Sequence, residues 1–250
     1  MISKSELRDI AKRKNYNLGQ AEKDYLQDII LSILYSEYGQ ELVFKGGTAL
    51  SKCYGIDRFS KDLDFNFSKN DIEKVLKNGL DRFYLDYELD KKMGGDSHKL
   101  ILRLKGPLYM GRRQSLCRID LDLSTREEVI KDTELIGISR LLSEVPSFKV
   151  VAMSLDEILA EKVRAIMTRN RARDLYDLNY LIKSEVNPDL SLINKKLEYY
   201  GKEFTYKNFK KAIGTKESIW KSEMKPLVPT VPEFHDTFER VIGKFKNLSR

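Results

Sequence analysis

Residues 44–67 read FKGGTALSKCYGIDRFSKDLDFNF. A glycine pair, Gly46-Gly47, opens a short helix, and fourteen residues (48 to 61) separate it from Asp62-Leu63-Asp64 in an apolar run. Alternation along a strand sends Asp62 and Asp64 to one face and Leu63, Phe65 and Phe67 to the other. Two carboxylates on one face, with no basic residue between them, repel each other unless a divalent cation lies between. Glycines ahead of a helix leave backbone N–H groups open to phosphate. A glycine pair alone occurs in any tight turn, and an acidic strand edge alone is an ordinary solvent face. Together they imply a metal ion beside a triphosphate.

Outward from this stretch, the chain divides by texture. Ser3–Lys14 and Gln20–Tyr38 read as helices, the second with Tyr25, Ile29, Ile33 and Leu34 at helical spacing. A strand over Glu41–Lys45 feeds the glycine pair, a helix covers Thr48–Tyr54, and Gly55 ends it. Asp62–Phe67 forms the carboxylate strand, and Asn70 or Asp71 caps a helix running to about Tyr84. Lys99–Leu104 and Leu116–Leu123 are further strands, antiparallel across a turn marked by Pro107 and Gly111. After Pro146 the pattern turns helical. Ser154 and Glu157 fit a capping box that opens a helix over Leu155–Thr168, and Ala172–Lys183 forms the next. The expectation is a mixed αβ domain over 1–150 and a helical domain over 151–250.

Composition narrows the class. The 250 residues are 41% hydrophobic, enough for a core, and no run approaches the ~18 apolar residues of a membrane span. Met1-Ile2 leads into SKSELRDIAKRK without an apolar h-region, so a cytoplasmic protein is expected. Cys53 and Cys117 lack metal-ligand spacing and read as buried small hydrophobes. His98 and His235 are too isolated for a zinc site. Net charge is +7, and residues 191–250 hold 13 Lys/Arg against 7 Asp/Glu. That excess is either a solvated lysine-rich surface or a face for a polyanion such as RNA. Tyr109, Tyr176, Tyr199, Tyr200, Tyr206 and Trp220 are aromatics for base stacking or for packing.

Two more groups of charged residues stand out. Asp120 and Asp122 alternate in RIDLDLS and share a strand face, which makes either one a candidate third carboxylate. In EILAEKVRAIMTRNRARDLYDLNYL, residues 157–181, Lys162 sits among apolar residues, with Arg164, Arg169, Arg171 and Arg173 close behind. A salt-bridged surface, with Glu161 and Arg164 paired and Asp174 capping the second helix, accounts for that spacing too.

The string KGGTAL followed by Ser60-x-Asp62-x-Asp64 resembles the AbiEii/AbiGii branch of the DNA-polymerase-β-like nucleotidyltransferases, the toxins of abortive-infection toxin–antitoxin systems. The likeness runs from about Glu22 to Leu181, and the last 60 residues fit loosely. It implies an α+β fold, in which a polymerase-β-like nucleotidyltransferase domain with a small mixed sheet is followed by a helical C-terminal domain that completes the active site. It implies Mg²⁺ or Mn²⁺ on Asp62, Asp64 and a third acid. Asp122, in D-L-S-T-R-E, matches the family's strand end, with Asp120 the alternate. Lys45, Gly46, Gly47, Thr48, Ser60, Lys162 and Arg173 would bind the nucleotide. Lys162 would meet the phosphates, and Asp174, with Asp177 beside it, would complete the site. The activity implied is transfer of NMP from an NTP to an acceptor, tRNA or another RNA first, with a cognate antitoxin as partner. A small-molecule or protein acceptor, or a catalytically silent nucleic-acid-binding module, are the alternatives.

Overall fold

The computed structural model describes residues 1–69, 71–95, 97–138, 144–246 and 248. They divide into two compact units, which are treated separately. The first is Met1–Gly55, Phe59–Glu128 and Thr133–Ala152; the second is Ile56–Arg58, Val129–Asp132 and Met153 onward.

In the first unit the elements are α1 (Lys4–Lys14), α2 (Leu18–Tyr38), β1 (Val43–Lys45), α3 (Gly46–Cys53), β2 (Leu63–Asn66), α4 (Ile72–Arg82), β3 (Tyr87–Gly94), β4 (Ser97–Leu104), β5 (Cys117–Ser124), β6 (Glu134–Gly137) and β7 (Lys149–Ala152). The strands form one mixed seven-stranded sheet in the order β3-β4-β5-β2-β1-β7-β6. β1 pairs antiparallel with β2 and parallel with β7, and β2 runs parallel to β5. β4 and β5 are antiparallel, as their turn residues imply.

The apolar sheet positions Phe44, Leu63, Phe65, Leu102, Ile119 and Leu121 are fully buried, in one core with Leu26, Ile30 and Leu34 of α2. α4 packs closely on α2 because residue 79 is glycine: a Cβ there would collide with Ile33. Both leading helices carry capping boxes, Ser3 with Glu6 and Asn17 with Gln20.

The second unit holds α5 (Leu155–Thr168), α6 (Ala172–Lys183), α7 (Leu190–Glu198), α8 (Tyr206–Gly214), α9 (Glu217–Met224) and α10 (Phe234–Phe245). α5 packs against α6, α7 and α8, while α10 closes over α6 and α8. Phe204, Phe209 and Phe245 stack together, and Trp220 is buried with Nε1 donating to the Pro232 carbonyl at 2.8 Å. Trp220 is therefore a packing residue.

Several local expectations are corrected. Ser154 is the N-cap of α5 but makes no side-chain cap bond. Glu157 turns away instead, accepting from the N–H groups of Ile130 and Lys131 and pairing with buried Lys196. A buried ammonium and two backbone donors outcompete one N-cap N–H. Asp71 caps α4 only by position, because its carboxylate accepts from the Tyr38 hydroxyl; Asn70 lies outside the described residues. β2 spans Leu63–Asn66, so Asp62 and Phe67 flank the strand instead of lying within it. Among the described residues no helix is long and apolar enough to cross a membrane.

Candidate active site

The sheet register brings the sequence-marked residues of the first unit together. Asp64 on β2 is the Cα partner of Lys45 on β1 and of Asp122 on β5. Residues in register share a face, so Asp64 and Asp122 stand side by side, about one strand spacing of ~4.8 Å apart. Asp62 lies one residue before β2, two before Asp64, on the same side by alternation. All three are half-buried, while Leu63, Phe65, Leu121 and Leu123 beneath them are buried.

Gly46 closes on this row. Its φ of 76° lies in the left-handed region, and a Cβ at this position would collide with the Asp64 carboxylate. Glycine is required there twice, by conformation and by space. The turn hands the chain from β1 to α3, with Lys45 as N-cap residue and with Gly47 and Thr48 buried.

Thr48 fixes the turn to the carboxylates: its hydroxyl bonds the Asp62 carbonyl and, at 2.8 Å, the Ser60 hydroxyl. Gln27 of α2 donates to the Ser60 carbonyl at 3.2 Å. Ser60 and Thr48 thus position Asp62 through the backbone. Lys52 anchors the far end of α3. Its buried ammonium lies 2.8 Å from Asp24 and 2.6 Å from Asp28, and Asp24 also pairs with Lys14. The sequence reading missed this clamp; the i,i+4 acids on the inner side of α2 were its only trace.

Asp120 and Asp122 differ in surroundings. Arg118 holds Asp120 by two bonds of 2.7 and 2.9 Å, and Lys99 by a third of 2.8 Å. Burial opposes the charged form of Asp120, and these cations overcome it, holding its carboxyl below the usual range. Asp122 lies 4.0 Å from Arg126, a long pairing, and adds its field at Lys99.

The donor set suits a hard cation. Mg²⁺ takes oxygen ligands, one or two of them carboxylates, and completes its shell with waters and substrate phosphates. Asp62, Asp64 and Asp122 are donors of that kind, although no cluster of three or more acidic, histidine or cysteine residues forms a ready-made cage among the described residues. Cys53 and Cys117 are free, and burial pushes both thiols up to about 12.

In the second unit Lys162, Asp174 and Asp177 meet in a buried ion cluster. The Lys162 ammonium lies 3.2 Å from Asp174 and 2.6 Å from Asp177. Arg169 grips Asp174 with bonds of 2.9 and 3.0 Å, and Arg58 grips Asp177 through Nε and Nη2. Both carboxylates are fully buried. Burial disfavours their charge, but Lys162 and Arg169 outweigh it at Asp174, and Arg58 and Lys162 at Asp177, so both carboxyls sit below the usual range. The cluster is thus interior rather than a surface network, and Asp174 bonds these cations instead of capping α6. Arg173, half-buried at the start of α6, adds its field at Asp174. Arg58 was not singled out in the sequence; its place between the glycine helix and Asp62 gave no sign of a partner at 177.

A mixed sheet with a left-handed glycine turn closing on a D-x-D strand defines a nucleotidyltransferase. The family model described as nucleotidyl transferase AbiEii toxin, type IV toxin–antitoxin system, matches residues 29–243, and the chain belongs to that family. The match takes in most of the C-terminal helices, which had fitted the family only loosely by motif.

Among solved structures the chain is similar to MenT4, a nucleotidyltransferase toxin from Mycobacterium tuberculosis H37Rv. The TM-score is 0.66 at 21% identity, covering 100% of this chain and 90% of that one. It is also similar to JHP933 from Helicobacter pylori, with TM-score 0.61 and 20% identity over 91% of this chain and 90% of that one. At such identity these likenesses show the fold. Among curated proteins no sequence matches the chain.

Proposed function

We propose that this nucleotidyltransferase is metal-dependent and moves an NMP from an NTP to an RNA acceptor, tRNA first, as the cytoplasmic toxin of a system with a cognate antitoxin. The observation that carries the reading is the register of Lys45, Asp64 and Asp122, with Gly46 closing on Asp64. In the reaction the acceptor hydroxyl loses its proton to solvent, its oxygen bonds the α-phosphorus, the bond from the α-phosphorus to the α–β bridging oxygen breaks, and pyrophosphate leaves with that bonding pair.

Asp62, Asp64 and Asp122 are the residues assigned to Mg²⁺ or Mn²⁺. When bound, the cation offsets charge on the phosphates and on the attacking oxygen. The backbone N–H groups opening α3 face the phosphates, and Thr48 and Ser60 keep the turn and Asp62 in fixed relation. Lys162 and Arg173 are assigned to triphosphate charge. Asp174 and Asp177 hold the Lys162 ammonium in one place, so its charge is presented without reorganisation. The test is incubation of the protein with each α-labelled NTP, Mg²⁺ and total RNA. Label should pass to RNA and cease with chelator; no transfer from any NTP defeats the reading.

A further inference from the structure

The row that carries Asp64 and Asp122 continues beyond them. Lys99 on β4 is the Cα partner of Asp122, so Lys45, Asp64, Asp122 and Lys99 lie in line across four strands. Three strand spacings make that line roughly 14 Å long. Its two ends differ: Lys45 is buried beside the glycine turn, whereas the Lys99 side chain is 40% exposed.

At the Lys99 end the charges do not balance. Asp120 alone receives both Lys99 and Arg118, the latter with 53% of its side chain exposed. Toward the neighbouring β3 the pairing is one to one, Arg103 with Asp90 and Arg113 with Glu88. A surface built only for solubility has no reason to crowd two cations onto one carboxylate. The other charges facing them are Asp62 and Asp122, and at Arg118 also Asp90, which Arg103 already holds. Divalent cations on Asp62 and Asp122 would leave Lys99, Arg118 and Asp120 with one positive charge in excess.

We propose that Lys99 and Arg118, gathered by Asp120, form a subsite for a backbone phosphate of a nucleic-acid acceptor, next to Asp122 and at the end of the row away from the glycine turn. The proposal rests on the nucleotidyl-transfer reading, because a triphosphate at the glycine turn leaves the β4–β5 end for the acceptor. Lysine supplies a point charge and arginine a planar fork, a combination suited to a phosphate that carries no sequence information. Asp120 is then a positioning residue that holds the two cations in place, which separates its role from that of Asp122.

The test uses the full chain and bulk tRNA, with filter binding at a series of salt concentrations and transfer kinetics on the same samples. In the double variant Lys99→Gln/Arg118→Gln, tRNA affinity should fall and KM for tRNA should rise, with NTP binding unchanged. The slope of log affinity against log salt should become shallower by about 0.7 to 1.4, the counterions of one or two single-strand phosphates. Lys99→Arg/Arg118→Lys keeps both charges and should restore binding. Asp120→Asn keeps both cations but loosens their placement, so its loss of tRNA affinity should be smaller than that of the double variant.

An unchanged salt slope in the double variant, equal loss of NTP and tRNA binding, or Asp120→Asn as damaging as the double variant would each overturn the subsite. So would a salt dependence that vanishes only when Lys207, Lys210 and Lys211 of α8 are reversed to Glu. If wild type labels RNA while the double variant keeps its tRNA KM, this inference alone fails. If wild type labels no RNA, the transfer reading fails with it.

Discussion

Two sets of aspartates in this molecule are treated in opposite ways. Asp174 and Asp177 in the second unit are fully buried and fully compensated, by Lys162, Arg58 and Arg169. Asp62, Asp64 and Asp122 in the first unit lie half-buried on one sheet face, with a glycine backbone packed against Asp64. Burying a charge is tolerable only with partners supplied by the protein. Setting Asp64 beside Asp122 in adjacent register costs stability, and the proposed metal ligation supplies a reason for it. On the proposed reading, the comparison separates aspartates whose charge is answered inside the protein from aspartates whose charge answers a ligand.

The largest effect should come from breaking the compensated set. Asp177→Ala leaves Arg58 and Lys162 facing each other in the interior with one carboxylate removed. Removing one partner of a buried pair costs about 3–5 kcal/mol, so the variant should melt far below wild type. A melting temperature near wild type would mean that the cluster relaxes into water.

Acid should act on the same set. Both carboxyls titrate below the usual range when folded, so their stabilisation is complete above about pH 5, where the unfolded groups are also ionised. It is lost as the pH falls through their folded values. Asp177→Asn should therefore lose less stability between pH 5 and pH 2 than wild type does, in paired melts; an equal loss would contradict the assignment.

Gly46→Ala tests the other set by conformation. A left-handed backbone costs a residue with a Cβ about 1–2 kcal/mol, and the new methyl must displace the Asp64 carboxylate. A small drop in stability with loss of transfer is expected, and a fully active variant would remove the close approach from the account. Lys162→Ala should cost the fold less than Asp177→Ala does, since Asp174 keeps Arg169 and Asp177 keeps Arg58. Its effect should appear as weaker NTP use in single-turnover titration. Wild-type kinetics would make Lys162 a structural member only.

Much of this was legible in the sequence, and for identifiable reasons. The glycine pair, the D-x-D alternation and the boundaries of α5 and α6 rest on local chemistry, which a sequence displays directly. β3, β6 and β7 were missed because none reads locally as a strand. β3 is mostly exposed, with four charged residues in its eight, and β6 and β7 are four residues each, held by pairing with their neighbours. Ser154 and Glu157 matched a local motif that tertiary partners overrode. Lys52 with Asp24 and Asp28, and Arg58 with Asp177, join residues 24 to 119 positions apart. No spacing rule links such pairs; only the fold does. The same holds for Lys99 and Asp120, whose meeting depends on the β4–β5 register.

The central claim is that the first unit's carboxylate face exists for a ligand, and Asp64→Ala tests it most directly. Thermal melts without metal and transfer of label from NTP to RNA are measured on one preparation. The account predicts a melting temperature close to wild type, together with transfer reduced on the order of a thousandfold or more for several kcal/mol of lost charge stabilisation. A variant that melts early yet transfers label at the wild-type rate would contradict it, placing Asp64 among the structural aspartates instead.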